Sequence, residues 1–171
     1  SLLSALSKTR YYKALYPVLS VDSPDIEVAV ITVNCCYIKW AFTKLNEEVK
    51  GKARDRIKNF FLRKADLDNL LLCYRLRSSF VTAPEEIEKL LIPYHHRLKV
   101  SDIDSALRAP DPVETLKRLF IEKKLGERLM RKDDCPEIGA GASAFRFFRH
   151  SLALTDNETE ALYSLMMLFE T

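Results

Sequence analysis

The stretch that decides the fold runs from Lys52 to Phe80 and reads KARDRIKNFFLRKADLDNLLLCYRLRSSF. It contains neither glycine nor proline, the residues that most often interrupt a helix. Apolar side chains recur along it at near-helical spacing, as at Ile57, Phe61 and Leu72. The stretch therefore predicts one long amphipathic helix, and a chain built around such a helix predicts an all-α fold.

Start and stop signals divide the rest of the chain into further helices. Ser23 is the predicted N-cap of the second helix, Pro24 its first residue, and Pro17 the end of the helix before it. The residues from Val28 to Val33 are mostly β-branched and favour a strand on propensity alone, but the capping signal favours a helix. The predicted helices span residues 1–16, 24–48, 52–81, 84–91, 101–108, 112–132, 142–153 and 156–170.

The composition is that of a globular chain. Of 171 residues, 47% are hydrophobic and 30% are charged, and only four are glycine. No Asn-Gly or Asp-Gly pair marks a β-hairpin, which again favours helices. We expect residues 1–171 to form a single helical domain. Because the chain starts without methionine and stops inside a helical pattern, we expect it to be part of a longer protein.

Charge, cysteines and hydropathy exclude several classes of protein. The net charge of +3 is too small to indicate nucleic acid as a partner. The four cysteines, Cys35, Cys36, Cys73 and Cys135, show no C-x-x-C spacing and are predicted to be reduced, packed thiols. The longest stretch without charge covers eleven residues, 28–38, against the ~20 of a membrane-spanning helix, so none is predicted.

A polar cluster within the long helix is the main candidate site. It consists of Asp66, Asp68, Asn69, Arg75 and Arg77. Two carboxylates at positions two apart do not face each other on a helix, which argues against paired acid–base chemistry. We expect these residues to be buried polar groups bonded to neighbouring elements, or to bind a partner.

Nothing else in the sequence indicates catalysis. His95 and His96 are adjacent, so they point in different directions, and no Glu stands at the spacing of an H-E-x-x-H metal site. Glycine-rich phosphate-binding loops and nucleophile elbows do not occur. The basic run from Lys52 to Lys64 lacks interleaved aromatic residues and is predicted to be a solvated face. The sequence predicts no catalytic residue, no metal site and no cofactor.

Several motifs in a fixed order resemble a known family. They are Thr9-x-Tyr11-Tyr12-x-x-Leu15, then Asp66-Leu67-Asp68-Asn69-Leu70 with Arg75 and Arg77, and then Leu91-Ile92-Pro93. This order resembles the family of central-stalk cap proteins of the V/A-type ATPases, which are known by the letter C in bacteria and archaea and by the letter d in vacuolar ATPases.

The resemblance implies a non-catalytic central-stalk subunit, a funnel of three helical lobes. Such a protein couples the rotor shaft to the proteolipid ring during proton or sodium transport. Its implied partners are the central-shaft subunits and the ring, and its implied location is the cytoplasmic face of the membrane, without a transmembrane segment of its own.

Two alternatives remain open at this point. One is a generic helical adaptor or scaffold that binds a partner helix. The other is a small enzyme that combines His95 or His96 with Asp66 or Asp68.

Overall fold

The structure is a computed structural model that describes residues 2–80 and 82–125, together with Phe145 and Arg149. Within these residues every regular element is a helix, so the predicted all-α fold is confirmed. The helices are α1 (Leu2–Leu6), α2 (Tyr12–Leu19), α3 (Ile26–Glu48), α4 (Gly51–Ser78), α5 (Pro84–Lys89), α6 (Val100–Leu107) and α7 (Pro112–Glu122).

The two longest helices, α3 and α4, form an antiparallel hairpin. Only Val49 and Lys50 separate them, and Gly51 opens α4 with φ +67°, in the left-handed region that favours glycine. The β-branched residues 28–33 are helical, as the capping signal indicated. The cap itself is Asp25 and not Ser23, because the Asp25 carboxylate accepts the Val28 N–H at 3.2 Å.

The long helix α4 lies at the centre of the hydrophobic core. Its apolar side chains pack against α3 on one side and against α6 and α7 on the other. The largest side chains with almost no exposure come from these four helices, from α5 and from the connection before α6: Leu45, Ile57, Phe61, Leu70, Ile87, Leu98, Ile103, Leu107, Leu116 and Phe120. The long stretch that predicted the fold therefore also organises the packing.

Three aromatic rings join α3, α4 and the connection that follows α5. Phe42 meets Phe61 edge-on with ring centroids 6.0 Å apart, and it meets Tyr94 edge-on at 5.0 Å. Such perpendicular pairs contribute roughly 0.5–1.5 kcal/mol beyond the burial of their area. These ring contacts fix the connection after α5 against the α3–α4 hairpin, on the side of the turn that joins the two helices.

The predicted helix over residues 1–16 is wrong at both its middle and its end. The helix is interrupted between α1 and α2, where the Ser7 hydroxyl donates to the Ser4 carbonyl at 2.7 Å and the Thr9 hydroxyl to the Leu6 carbonyl at 2.8 Å. Those hydroxyls compete for the carbonyls that a continuous helix would use. Pro17 lies inside α2, which continues to Leu19 at the loss of one backbone hydrogen bond.

The predicted end of α7 at residue 132 is also wrong. The helix stops at Glu122, and Lys124 adopts a left-handed conformation with φ 59°. The Leu125 N–H donates to the Phe120 carbonyl at 2.8 Å and the Lys124 N–H to the Ile121 carbonyl at 3.0 Å, which is the Schellman pattern. The predicted helices over 142–153 and 156–170 lie outside the described residues, apart from Phe145 and Arg149, which are helical.

The shorter helices α5 and α6 agree with their predicted spans to within two residues. The sequence from Ser101 to Asp104 resembles a capping box, but the observed bond lies two residues earlier, where the Lys99 N–H donates to the Asp102 carboxylate at 2.8 Å. Asp104 pairs with Arg108 at 2.7 Å. The sequence Asp111-Pro112-Val113-Glu114 predicts Asp111 as the cap of α7, and this is confirmed, because Asp111 accepts the Glu114 N–H at 3.0 Å.

One described helix has the length and composition of a membrane span. The stretch Val28–Glu48 of α3 has a mean hydropathy of 1.2, and 22% of it is buried within the structure. Its inner side packs into the core through Ile38, Ala41 and Leu45. One such helix is weak evidence, so its apolar composition does not establish a membrane crossing.

Candidate functional site

Asp66, the first residue of the predicted cluster, holds the connection between α5 and α6. Its side chain has no exposure and accepts the backbone N–H groups of His96, Arg97 and Leu98 at 3.0, 2.7 and 3.1 Å. A carboxylate is an acceptor with two oxygens, so one side chain satisfies three donors that the turn leaves without helical partners. Hydrogen bonds to an ionised acceptor are the stronger kind.

Asn69 holds the same connection one turn further along α4. Its amide nitrogen donates to the Ile92 carbonyl at 2.9 Å, and its carbonyl oxygen accepts the Ile92 N–H at 2.7 Å. Both backbone groups of a buried residue are thereby satisfied by one side chain, as they would be in a sheet. Arg77 adds a third attachment of α4, to the residues just before α5, by donating to the Thr82 carbonyl at 2.8 Å.

The five predicted residues divide between two faces of α4. Asp66, Asn69 and Arg77 share the face that bonds the connection over residues 82–98. Asp68 and Arg75 are seven residues apart, close to two turns, and lie on the other face. The five residues therefore do not form one site, although each of them lies on α4 at the position that helical spacing predicts.

Asp68 differs from the sequence expectation. It bonds Lys64 of its own helix at 3.1 Å, and not a neighbouring helix, and its side chain remains 32% exposed. Partial burial raises the pKa of the Asp68 carboxyl, while the charges of Lys64 and Arg75 oppose that shift. The (i, i+4) spacing of Lys64 and Asp68 is visible in the sequence, and it was the signal for a partner that sequence reasoning missed.

An open cleft lies between α3 and the second face of α4, and we call it the α3–α4 cleft. Part of it is a pocket of ≈ 420 Å³, and an adjoining pocket of ≈ 270 Å³ shares Asn34, Lys64 and Asp68 with the first. Sequence reasoning did not identify the apolar wall residues Val30 and Ile31. A third pocket of ≈ 540 Å³ lies where the hairpin opens, beside Phe80.

The histidine pair offers little chemistry in this arrangement. His96 bonds Asp66 through its backbone N–H and not through its imidazole. Burial lowers the pKa of His96, and the nearby charge of Asp66 partly opposes that shift. Nδ1 of His95 is buried without a hydrogen-bond partner. Over residues 2–80 and 82–125, no three His, Cys, Asp or Glu side chains come together as a metal site.

The buried polar side chains of α4 bond backbone atoms, which is the chemistry of a helical framework. Comparison with known proteins gives the family. The chain belongs to the ATP synthase (C/AC39) subunit family, whose model matches residues 1–152. The resemblance seen in the sequence motifs is thereby confirmed. No curated protein and no solved structure matches the chain.

Proposed function

We propose that the chain acts as a non-catalytic central-stalk subunit of a V/A-type rotary ATPase or ATP synthase. It couples the rotor shaft to the membrane proteolipid ring and so serves proton or sodium transport. The observation that carries this proposal is the family match over residues 1–152, most of the chain.

The packing of α4 supports a mechanical role. A protein that couples two others has to transmit load without changing shape, so its connections need to be fixed to its long helices. Here Asp66, Asn69 and Arg77 attach the connection between α4 and α6 at three places along one helix. Satisfied buried polar groups, here the side chains of Asp66 and Asn69, make a structure more rigid and specify one arrangement.

The chemistry of the same residues supports a role without catalysis. Asp66, the carboxylate nearest the histidine pair, already accepts three backbone N–H groups and has no exposure. A general base needs free access to a substrate proton. The sequence also contains no glycine-rich phosphate loop. We therefore expect the chain to show no ATP binding by calorimetry at micromolar concentrations, and binding there would contradict this role.

The proposed partners are the central-shaft subunits and the cytoplasmic loops of the proteolipid ring. The protein then lies on the cytoplasmic face of the membrane as a peripheral part of the complex. Of the five predicted site residues, Asp68, Asn69 and Arg75 line the α3–α4 cleft. We place the first contact to be tested at Asp68 and Arg75, because the other three residues bond the chain's own backbone.

A capture experiment tests the proposal. The full-length protein is immobilised and offered purified shaft subunits and, separately, purified ring in detergent. We expect it to capture at least one of them, and we expect Arg75→Glu to weaken that capture. Arg118→Glu is the matched control, because Arg118 is an exposed arginine of α7, outside the cleft.

Failure to capture either partner would contradict the proposal. The generic helical adaptor would then be the better interpretation, since the apolar walls of the cleft suit a partner helix in any class of protein. If capture were equal for Arg75→Glu and for the control, the function would stand and the contact would lie elsewhere.

A further inference from the structure

The described helices leave the apolar walls of the α3–α4 cleft open. Val30 and Ile31 stand on the α3 side, and Leu71 and Leu72 on the α4 side. Val30 is 54% exposed, although it lies in the longest apolar stretch of α3. Contiguous apolar surface of this kind marks a contact surface, whereas single exposed apolar residues are ordinary. We therefore looked for the segment that covers it.

The length of the cleft is that of a helix of about four turns. On α4 its lining runs from Phe61 to Arg75, which is ~21 Å at a rise of ~1.5 Å per residue. The helix that the sequence predicts over residues 156–170 has a length of ~22 Å by the same rise. Two helical walls present ridges and grooves into which a third helix of this length fits.

The sequence over residues 156–170 carries the apolar surface that such a cleft buries. The segment lies outside the described residues, and its sequence opens with a capping box from Thr155 to Glu158. Its apolar stripe stands at positions i, i+3, i+4 and i+7 and consists of Leu162, Leu165, Met166 and Phe169. A helix with such a stripe buries it against another element.

The described fold ends beside the cleft. Arg63 of α4 donates from Nη2 to the Lys124 carbonyl at 2.7 Å, just after the end of α7. Lys64, the next residue of α4, lines the cleft. Leu125 is buried, so the chain continues towards residue 126 from a fixed point close to the cleft.

We propose that residues 156–170 form a helix that lies in the α3–α4 cleft of the same chain, with the stripe from Leu162 to Phe169 against its apolar walls. The inference concerns a contact within the chain and does not rest on the proposed function. A partner that fills the same cleft has to displace this helix first, so the docked helix also limits which partners bind there.

Covalent attachment selects this occupant over a second copy of the chain. Residues 126–155 join the helix to Leu125, and a linker of about 30 residues holds an attached segment at an effective concentration of roughly 1 mM. A second copy offers the same helix only at its concentration in solution, which is micromolar in a purified sample. The chain's own helix is therefore favoured by about a thousandfold.

Photo-cross-linking in the purified full-length protein tests the inference. A photo-reactive phenylalanine analogue replaces Val30, and mass spectrometry identifies the linked peptides in a mixture of isotopically labelled and unlabelled chains. Val100 is the matched control position, because it is also a valine with 54% exposure and lies on α6. We expect Val30 to cross-link to residues 156–170 of its own chain, in a yield independent of protein concentration, and Val100 to give no such product.

Hydrogen exchange gives a second measurement on the same segment. We expect Val30→Asp to speed backbone amide exchange in residues 156–170 about tenfold or more, because a carboxylate placed against an apolar stripe is strongly unfavourable. Val100→Asp should leave that exchange unchanged. Thermal unfolding of both variants checks that they keep the fold.

Three results would overturn the inference. The first is the absence of residues 156–170 among the products of Val30, whether it links to a second copy, to another part of the chain or to nothing. The second is equal cross-linking of Val30 and Val100 to that segment, and the third is unchanged exchange there in Val30→Asp. None of these results bears on the capture of shaft or ring, which tests the proposed function separately.

Discussion

Replacing Asp66 with alanine removes the acceptor for three backbone N–H groups at once. The Leu98 donor lies at a residue with no exposure, and an orphaned buried donor costs ~1–3 kcal/mol. The His96 and Arg97 donors are closer to solvent, so water replaces part of each bond and the cost is ~0.5–1.5 kcal/mol each. We therefore expect Asp66→Ala to lower the free energy of unfolding by ~2–6 kcal/mol, a large part of the ~5–15 kcal/mol of an ordinary domain.

Urea unfolding at 25 °C of the full-length chain provides the measurement, with the slope of the transition checked for each variant. Asp55→Ala is the control, because Asp55 is an acid of the same helix with a side chain 66% exposed. Its surface ion pair with Arg54 contributes ~0–1 kcal/mol. Asp66→Asn keeps one acceptor oxygen and should lie between wild type and Asp66→Ala. A loss at Asp66→Ala no larger than that of the control would refute the argument.

Three further outcomes follow from the geometry. Gly51→Ala should destabilise the chain by ~1–2 kcal/mol in the same unfolding assay, because Gly51 has φ +67° and an added Cβ meets nothing within 4 Å, so the cost is backbone strain alone. Gly51→Asn should cost less, because asparagine tolerates this left-handed conformation better than alanine does. Folding raises the pKa of Asp68, so the folded state binds the proton of this carboxyl more tightly than the unfolded chain does. The wild type should therefore lose stability relative to Asp68→Asn as the pH rises above 3.8, and melting temperatures measured over a pH series test the sign of this change. Burial raises the pKa of the Cys73 thiol to about 12, so its alkylation at pH 8 should be roughly a thousandfold slower than in the unfolded chain, as peptide mass spectrometry can measure.

The sequence predicted the long helices well because their signals are redundant. In α3, a start signal and later charged residues outweighed the β-branched run at 28–33, and burial of Ile38 and Leu45 then fixed the helix. In α4, the absence of breakers and the apolar spacing agreed over 28 residues. Such agreement across independent signals is what makes a local prediction hold in the tertiary structure.

The errors in the predicted helix ends arose where a single local interaction determines the end of the helix. Hydroxyl groups of Ser7 and Thr9 end α1, and nothing in the apolar pattern shows that they bond backwards to carbonyls. Lys124 occupies a left-handed position that favours glycine, so the end of α7 carried no sequence signal there, although Gly126 lies two residues on. The chain accepts this because Phe120 and Leu125 are both buried at that turn.

The sequence predicted which residues make up the candidate site, but it did not predict how they are arranged around α4. Helical spacing puts Asp66 and Asn69 on one face and Asp68 on another, which the numbering alone allows one to work out. Which face meets the connection over residues 82–98 depends on contacts between residues more than twenty positions apart, such as Asn69 and Ile92. No local pattern carries that information.

The three attachments of α4 have a consequence for how this chain can vary during evolution. Asp66, Asn69 and Arg77 bond only main-chain atoms of the connection, at Thr82, Ile92 and residues 96–98. Selection on these bonds therefore acts on the side chains of α4, while the residues that supply the backbone are free to drift as far as their own packing allows. Proline is the exception at positions 92, 96, 97 and 98, because it would remove the N–H that each of them donates.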